Sequence, residues 1–160
     1  MNDLAKDPDP ATPNPATPNP VTPGPVTPGP DVPGPDVLTR LAEERNVWLC
    51  TVRPDGSAHV TPVWFVYADG TWWIGADARS VKVRNVRAEP RVSLALEDGR
   101  FPVVAEGGVV LHRDDDGFPA SVVTAFREKY GWDVGAARPD DRRVLLEVPV
   151  RRWLLAGTAQ

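Results

Sequence analysis

The chain has 160 residues, 41% of them hydrophobic, and a formal net charge of -4, which is enough for one domain with a real core and gives no electrostatic case for nucleic acid. No apolar run approaches the roughly 18 residues of a membrane span, and the start Met1-Asn2-Asp3-Leu4 lacks the basic-then-apolar order of a secretory signal. Cys50 is the only cysteine, so an intramolecular disulfide and a cysteine-built metal cluster are excluded and a reducing, cytoplasmic compartment is expected.

Residues 8–35 hold 12 of the 19 prolines in short recurring units such as ATPNP and VTPGP. Proline removes backbone donors and fixes φ, and such a segment has too little apolar surface to offset the entropy of ordering. Residues 1–35 are therefore expected to be a disordered proline-rich tail, and residues 36–160 the folded domain. The tail carries four Asp against one Lys, -3 of the net -4, leaving the domain nearly neutral.

Asp36 precedes Val37, Leu38, Leu41 and Ala42 at helical spacing and is the expected N-cap of a short amphipathic helix. Strand signals follow. Val47 to Val52 is short and apolar, Arg53-Pro54-Asp55-Gly56 is a turn, and Ala58 to Tyr67 is rich in β-branched and aromatic residues, with Pro62 expected at an edge or bulge. A turn at Asp69-Gly70 leads to a strand at Thr71 to Ala76. Ser80 to Glu89 is helical in pattern and stops before Pro90; Val92 to Glu97 and Val103 to Leu111 are strands about the Asp98-Gly99 turn. Phe118, Val122, Ala125, Phe126 and Tyr130 fall on one helix face, after an acidic run at Asp114 to Asp116 that suits its N-terminal dipole, and Val144 to Val150 is the last strand. Six strands with hairpin turns and two or three helices predict a mostly β fold, a six-stranded antiparallel barrel with helical additions.

Two places could carry chemistry. At Arg79-Ser80-Val81-Lys82 a serine N-cap is flanked by cations at a helix start, where free N–H groups and the helix dipole favour a phosphate. In Val60-Thr61-Pro62-Val63 the proline releases backbone groups that a planar ring edge could use, and Gly75-Ala76 permits close approach. His59 and His112 have no metal-ligand spacing and Cys50 reads as a small buried hydrophobe; no metal site and no catalytic side chain is assigned. A reaction here would depend on a cofactor.

The stretch VWLCTVRPDGSAHVTPVWFVYADGTWWIGADARSVKVRNVRAEPRVSLALEDG resembles the pyridoxamine-phosphate-oxidase-related, FMN-binding split barrels, and is most similar to their actinobacterial branch of coenzyme F420-dependent enzymes. The resemblance spans Val37 to Trp153. It implies a homodimer with two interface sites, each holding coenzyme F420 or FMN, and a hydride-transferring oxidoreductase acting on a small organic substrate, or else a non-catalytic cofactor carrier. Phosphate would lie on Arg79, Ser80, Lys82 and Asn85; the ring would lie on Val60, Thr61, Pro62 and Val63 and on Ile74, Gly75, Ala76 and Asp77. Trp153 would close the partner's site. A flat aromatic face with Trp64 and Trp72 or Trp73 is the expected apolar surface of the dimer.

Overall fold

The computed structural model describes residues 32–113, 117–136 and 142–155. The expected tail lies almost wholly outside them, as do Asp114 to Asp116.

Three helices, α1 (Pro35–Glu43), α2 (Val81–Ala88) and α3 (Ala120–Tyr130), join eight strands: β1 (Asn46–Val52), β2 (Ala58–Trp64), β3 (Val66–Ala68), β4 (Thr71–Asp77), β5 (Arg91–Leu96), β6 (Val104–Gly108), β7 (Val110–Arg113) and β8 (Arg143–Leu154). Every strand pairing is antiparallel. The sheet runs β2-β1-β5-β6-β8-β4-β3, with β7 also on β8. It curls into the expected split barrel.

The eight strands are the six expected ones with two of them broken. Ala58 to Tyr67 breaks at Phe65, because Phe65 leaves the ladder and its backbone bonds to a side chain instead: the Tyr130 hydroxyl accepts from Phe65 N–H at 3.0 Å and donates to Phe65 C=O at 2.6 Å. Val103 to Leu111 breaks at Val109, whose N–H goes to Pro90 C=O at 2.9 Å. Beyond that break the chain passes from the β5–β6 half of the sheet to the other half, where β7 joins β8.

β8 holds the two halves together. Residues 143–149 pair with β4 and residues 150–154 with β6, across a register shift at Glu106/Gly107. At that corner a Cβ on Gly107 would stand 2.5 Å from Pro149 C=O, so only glycine lets the strands pass.

Alternation fills the barrel. Val47, Leu49 and Thr51 point inward from β1, while Trp48, Cys50 and Val52 face outward. Val47 and Leu49 form the main core with Phe65, Trp72, Ile74, Val83, Val86, Leu94 and Leu146. A second core, between the outside of β4–β8 and α3, contains Val66, Trp73, Val122, Phe126, Val134 and Leu145. Asp36 is not the cap of α1: Gly34 holds that position, Pro35 opens the helix and Asp36 sits in its first turn, where proline's missing N–H costs nothing.

Candidate functional site

Ser80 occupies the N-cap of α2, as its position before an apolar-periodic run predicts. The turn that delivers it is closed locally. Ser80 N–H donates to Asp77 C=O at 3.0 Å, and Arg79 N–H donates to Asp77 Oδ1 at 2.6 Å. Asp77, at the end of β4, is thus engaged with the turn, and its carboxylate lies 3.7 Å from Arg79 Nε with both side chains largely exposed. No acidic residue stands in the first turn of α2. An anion approaching Lys82 there meets the positive end of the helix dipole, with Asp77 held in the preceding turn by Arg79.

The Ser80 hydroxyl makes no cap bond. Its Oγ is buried without a hydrogen-bond partner, and so is Thr61 Oγ1 on β2. Only four side-chain atoms among the described residues are in that state, and two of them belong to the positions selected from sequence. An orphaned buried hydroxyl costs about 1–3 kcal/mol unless something bonds to it, which fits a polar ligand at the start of α2 and along β2. Pro62 lies in β2 opposite Trp48, at the edge of the sheet, as a residue without an N–H requires. Val60 and Pro62 are exposed; Val63 is buried.

A positive field covers this region. His59 on β2 is held below its ordinary range, first by burial and then by the Arg53 and Lys82 cations. Two cations that oppose a third are a setting that welcomes an anion. Nothing in the spacing of His59 pointed to this, since its relation to Lys82 exists only once β2 and α2 are brought together.

Asn85 has a different task. It is 2% exposed, and its Nδ2 donates at 3.0 Å to the hydroxyl of Thr51, itself fully buried. Thr51 Oγ1 in turn lies 3.3 Å from His59 C=O and 3.4 Å from His59 Nδ1. The chain Asn85–Thr51–His59 ties α2 to β1 and β2 and sets their spacing. Trp153 also departs from expectation. Its ring is 5% exposed and packs against Trp72 and Tyr67 inside its own barrel, so within one chain the ring belongs to the core.

On β4, Ile74 and Ala76 face the barrel core, and Gly75 faces α3. A Cβ on Gly75 would fall 2.5 Å from the Trp132 ring. The small residue expected to admit a ligand admits Trp132 instead. That ring is edge-on to Trp64 at 5.9 Å, and Trp64 stacks on Tyr130 at 4.6 Å and 8°. The exposed aromatics of the sheet are Trp48 and Trp64, each 42% accessible, whereas Trp72 and Trp73 are buried; the expected face keeps Trp64 and exchanges the other two for Trp48. On the same outward face a cavity of about 520 Å³ opens among Cys50, Ser93, Arg91, Glu106 and Arg152. None of the positions expected from sequence lines it, and two of its three arginines are engaged, Arg152 by Glu106 and Arg91 by Glu89.

The curled antiparallel sheet, crossed by one long shared strand and flanked by three helices, defines a split-barrel protein. A family model described as pyridoxamine 5'-phosphate oxidase matches residues 34–156, and the chain belongs to that family. The chain is similar to many solved structures, of which three are described. One is an F420 reductase, 25% identical, covering 72% of this chain and 94% of its own, with a TM-score of 0.57. Another is a pyridoxamine 5'-phosphate oxidase-related, FMN-binding protein from Nostoc punctiforme, 17% identical, covering 74% and 81%, with a TM-score of 0.55. The third is HutZ, the heme storage protein from Vibrio cholerae, 18% identical, covering 78% and 95%, with a TM-score of 0.66. At their identities the last two speak for the fold alone. No curated protein sequence matches the chain significantly. No helix among the described residues is long and apolar enough to cross a membrane.

Proposed function

We propose that this protein is a cytoplasmic oxidoreductase that moves a hydride between coenzyme F420 and a small organic substrate, working as a homodimer with the coenzyme at the interface. The observation that carries this reading is the pair of orphaned hydroxyls, Ser80 Oγ at the start of α2 and Thr61 Oγ1 on β2, with Lys82 in a first helical turn that holds no acidic residue. The 25% identical F420 reductase favours the deazaflavin; the FMN-binding relative of the same fold makes FMN the second reading.

The residues divide the work by chemistry. Arg79, Ser80 and Lys82 hold the phosphate through charge and the free N–H groups of α2. Thr61 and the backbone of Val60 to Val63 receive the polar edge of the ring, with the end of β4 at Ile74 to Asp77 as the other support. Asn85 acts through Thr51 to keep α2 and β2 at the right separation. When bound, the coenzyme supplies the hydride-accepting and hydride-donating centre. The chain supplies orientation and exclusion of water, and no side chain is assigned a proton-transfer role.

Titration of the purified full chain with coenzyme F420 and with FMN, followed by fluorescence, tests the reading. Saturable binding of F420 at least tenfold tighter than FMN is expected. Tighter FMN binding, or a yellow protein as purified, would transfer the assignment to flavin; binding of neither would end it.

A further inference from the structure

We propose that the cavity on the outward face of β1, β5, β6 and β8 binds the carboxylate of a small organic acid, with Arg151 as the side chain that grips it. Cys50, Ser93, Glu106 and Arg152 form one row across the four strands, each the registered partner of the next, and all four line the cavity of about 520 Å³. Val52 adds an apolar wall on the β1 side.

The irregularity in β8 shapes the other side. Glu106 pairs with Arg152 and Gly107 with Val150, so Arg151 is an extra residue with no partner across the ladder. Consecutive side chains of a regular strand point to opposite faces, and a bulge re-aims one of them. Arg151 and Arg152 accordingly line the same cavity. The Arg151 guanidinium lies against Gly108, where a Cβ would stand 3.5 Å from its Nη2.

The charges in this lining do not cancel. Arg152 Nε and Nη2 both donate to one oxygen of Glu106, at 3.0 and 2.5 Å, and Arg91 donates through Nε and Nη2 to the two Glu89 oxygens, at 2.8 Å each. Among the described residues no hydrogen bond or ion pair engages Arg151. A free guanidinium fork matches a carboxylate through two parallel N–H bonds. Glu106 in the same lining favours a singly charged ligand over a doubly charged phosphate ester. Strands stand about 4.8 Å apart, so the row from Cys50 to Arg152 spans roughly 14 Å, room for an acid whose apolar body lies over Ser93 towards Cys50 and Val52. Cys50 is also the registered partner of Val60, on the strand proposed to bear the coenzyme ring. That the acid is the substrate rests on the coenzyme reading; that it binds here does not.

The full chain, labelled with nitrogen-15 and free of coenzyme, is titrated with cinnamate, with neutral cinnamamide and with phenyl phosphate, and followed by amide NMR. Cinnamate should bind saturably, with shifts centred on Cys50, Ser93, Glu106 and Arg152, and about tenfold more tightly than its amide, the loss expected when a charge-assisted pair is missing. Arg151→Gln should weaken cinnamate by a similar factor, whereas Arg100→Gln, which removes the same charge from an exposed position outside the cavity, should leave it unchanged. No binding of cinnamate, equal affinity for the amide, tighter binding of phenyl phosphate, shifts centred elsewhere, an Arg151→Gln protein that binds like the parent, or an equal loss in Arg100→Gln would each overturn the proposal. Repeating the titration with coenzyme F420 separates the two readings. Cinnamate bound alongside the coenzyme supports its place as substrate, and displacement of cinnamate by the coenzyme overturns that place. Cinnamate binding to a chain that takes no coenzyme would end the coenzyme reading and leave the carboxylate site standing.

Discussion

At the scale of single residues, Lys82 joins two independent measurements. If it holds the coenzyme phosphate, Lys82→Ala should weaken binding by about 1–3 kcal/mol, roughly five- to 150-fold in Kd, with little change in the stability of the free protein. An unchanged Kd for both coenzymes would put the phosphate elsewhere. The second measurement needs no ligand. Because Lys82 is one of the cations that depress His59, Lys82→Ala should raise the His59 pKa in an NMR titration, by less than the whole depression, since burial is its larger cause. The depression also has a consequence for stability. The unfolded chain binds the His59 proton more readily than the folded one, so this contribution is present above about pH 6.5 and is lost as pH falls through the lower folded value. Asn85 works differently, tying α2 to β1 through the Thr51 hydroxyl. Asn85→Ala leaves the Thr51 hydroxyl buried with one partner fewer and should cost about 1–3 kcal/mol in urea unfolding. It should weaken the coenzyme only as far as α2 shifts.

At the scale of elements, the runs that sequence displays best are those whose signal is local. The alternation of β1, the Pro-Asp-Gly and Asp-Gly turns and the Ser80 start of α2 are all written within a few residues. What is not local is not legible. The break at Phe65 depends on Tyr130, 65 residues away, and the break at Val109 depends on Pro90; neither leaves a mark in the strand itself, so two long strands are read where four short ones stand. Gly75 is visible as a close-approach residue, but sequence cannot say that the approaching ring is Trp132. For the same reason Trp153 reads as a site residue when it is core. Of the candidate site, the cations and hydroxyls are legible because charge and capping are local properties, whereas the Asn85–Thr51–His59 tie exists only across three elements. The Phe65 break gives a test of its own. Tyr130→Phe removes the hydroxyl that replaces the ladder there, leaving Phe65 N–H and C=O without it, and should cost about 1–3 kcal/mol and speed amide exchange at Phe65 and Val66. The same helix bears on alkaline stability. Lys129 loses its proton more easily folded than unfolded, so its contribution should make the protein more stable as pH rises from about 8 towards 10, a trend that Lys129→Met should abolish in thermal melts.

At the scale of the whole molecule, the outward face of β1 and β2 presents Trp48, Val60 and Trp64, with accessibilities of 42%, 52% and 42%. Val60 and Trp64 lie on the strand proposed to bear the coenzyme ring, and Trp48 on its neighbour. A second copy placed there would cover them and complete the site from both sides, so light scattering should return a dimer at micromolar concentration, and Trp48→Glu should return a monomer that binds coenzyme more weakly. A wild-type monomer would contradict the interface. The other large-scale expectation concerns the proline-rich segment. The family match begins at residue 34, and α1 is anchored from there by Leu38 N–H bonding to Gly34 C=O at 3.0 Å. Residues 1–31 offer only Met1, Leu4, Val21 and Val26 as large apolar side chains, too few to add a layer to either core. Removing them, with the cut placed before buried Pro33 so that α1 keeps its start, should therefore leave the thermal midpoint within about a degree, the dimer intact and the coenzyme Kd unchanged within about twofold. A fall of several degrees would mean that the segment packs on the barrel. A lost dimer with an unchanged midpoint would mean instead that it reaches across to the other copy, in which case the repeated prolines would serve assembly and the domain would not end at α1.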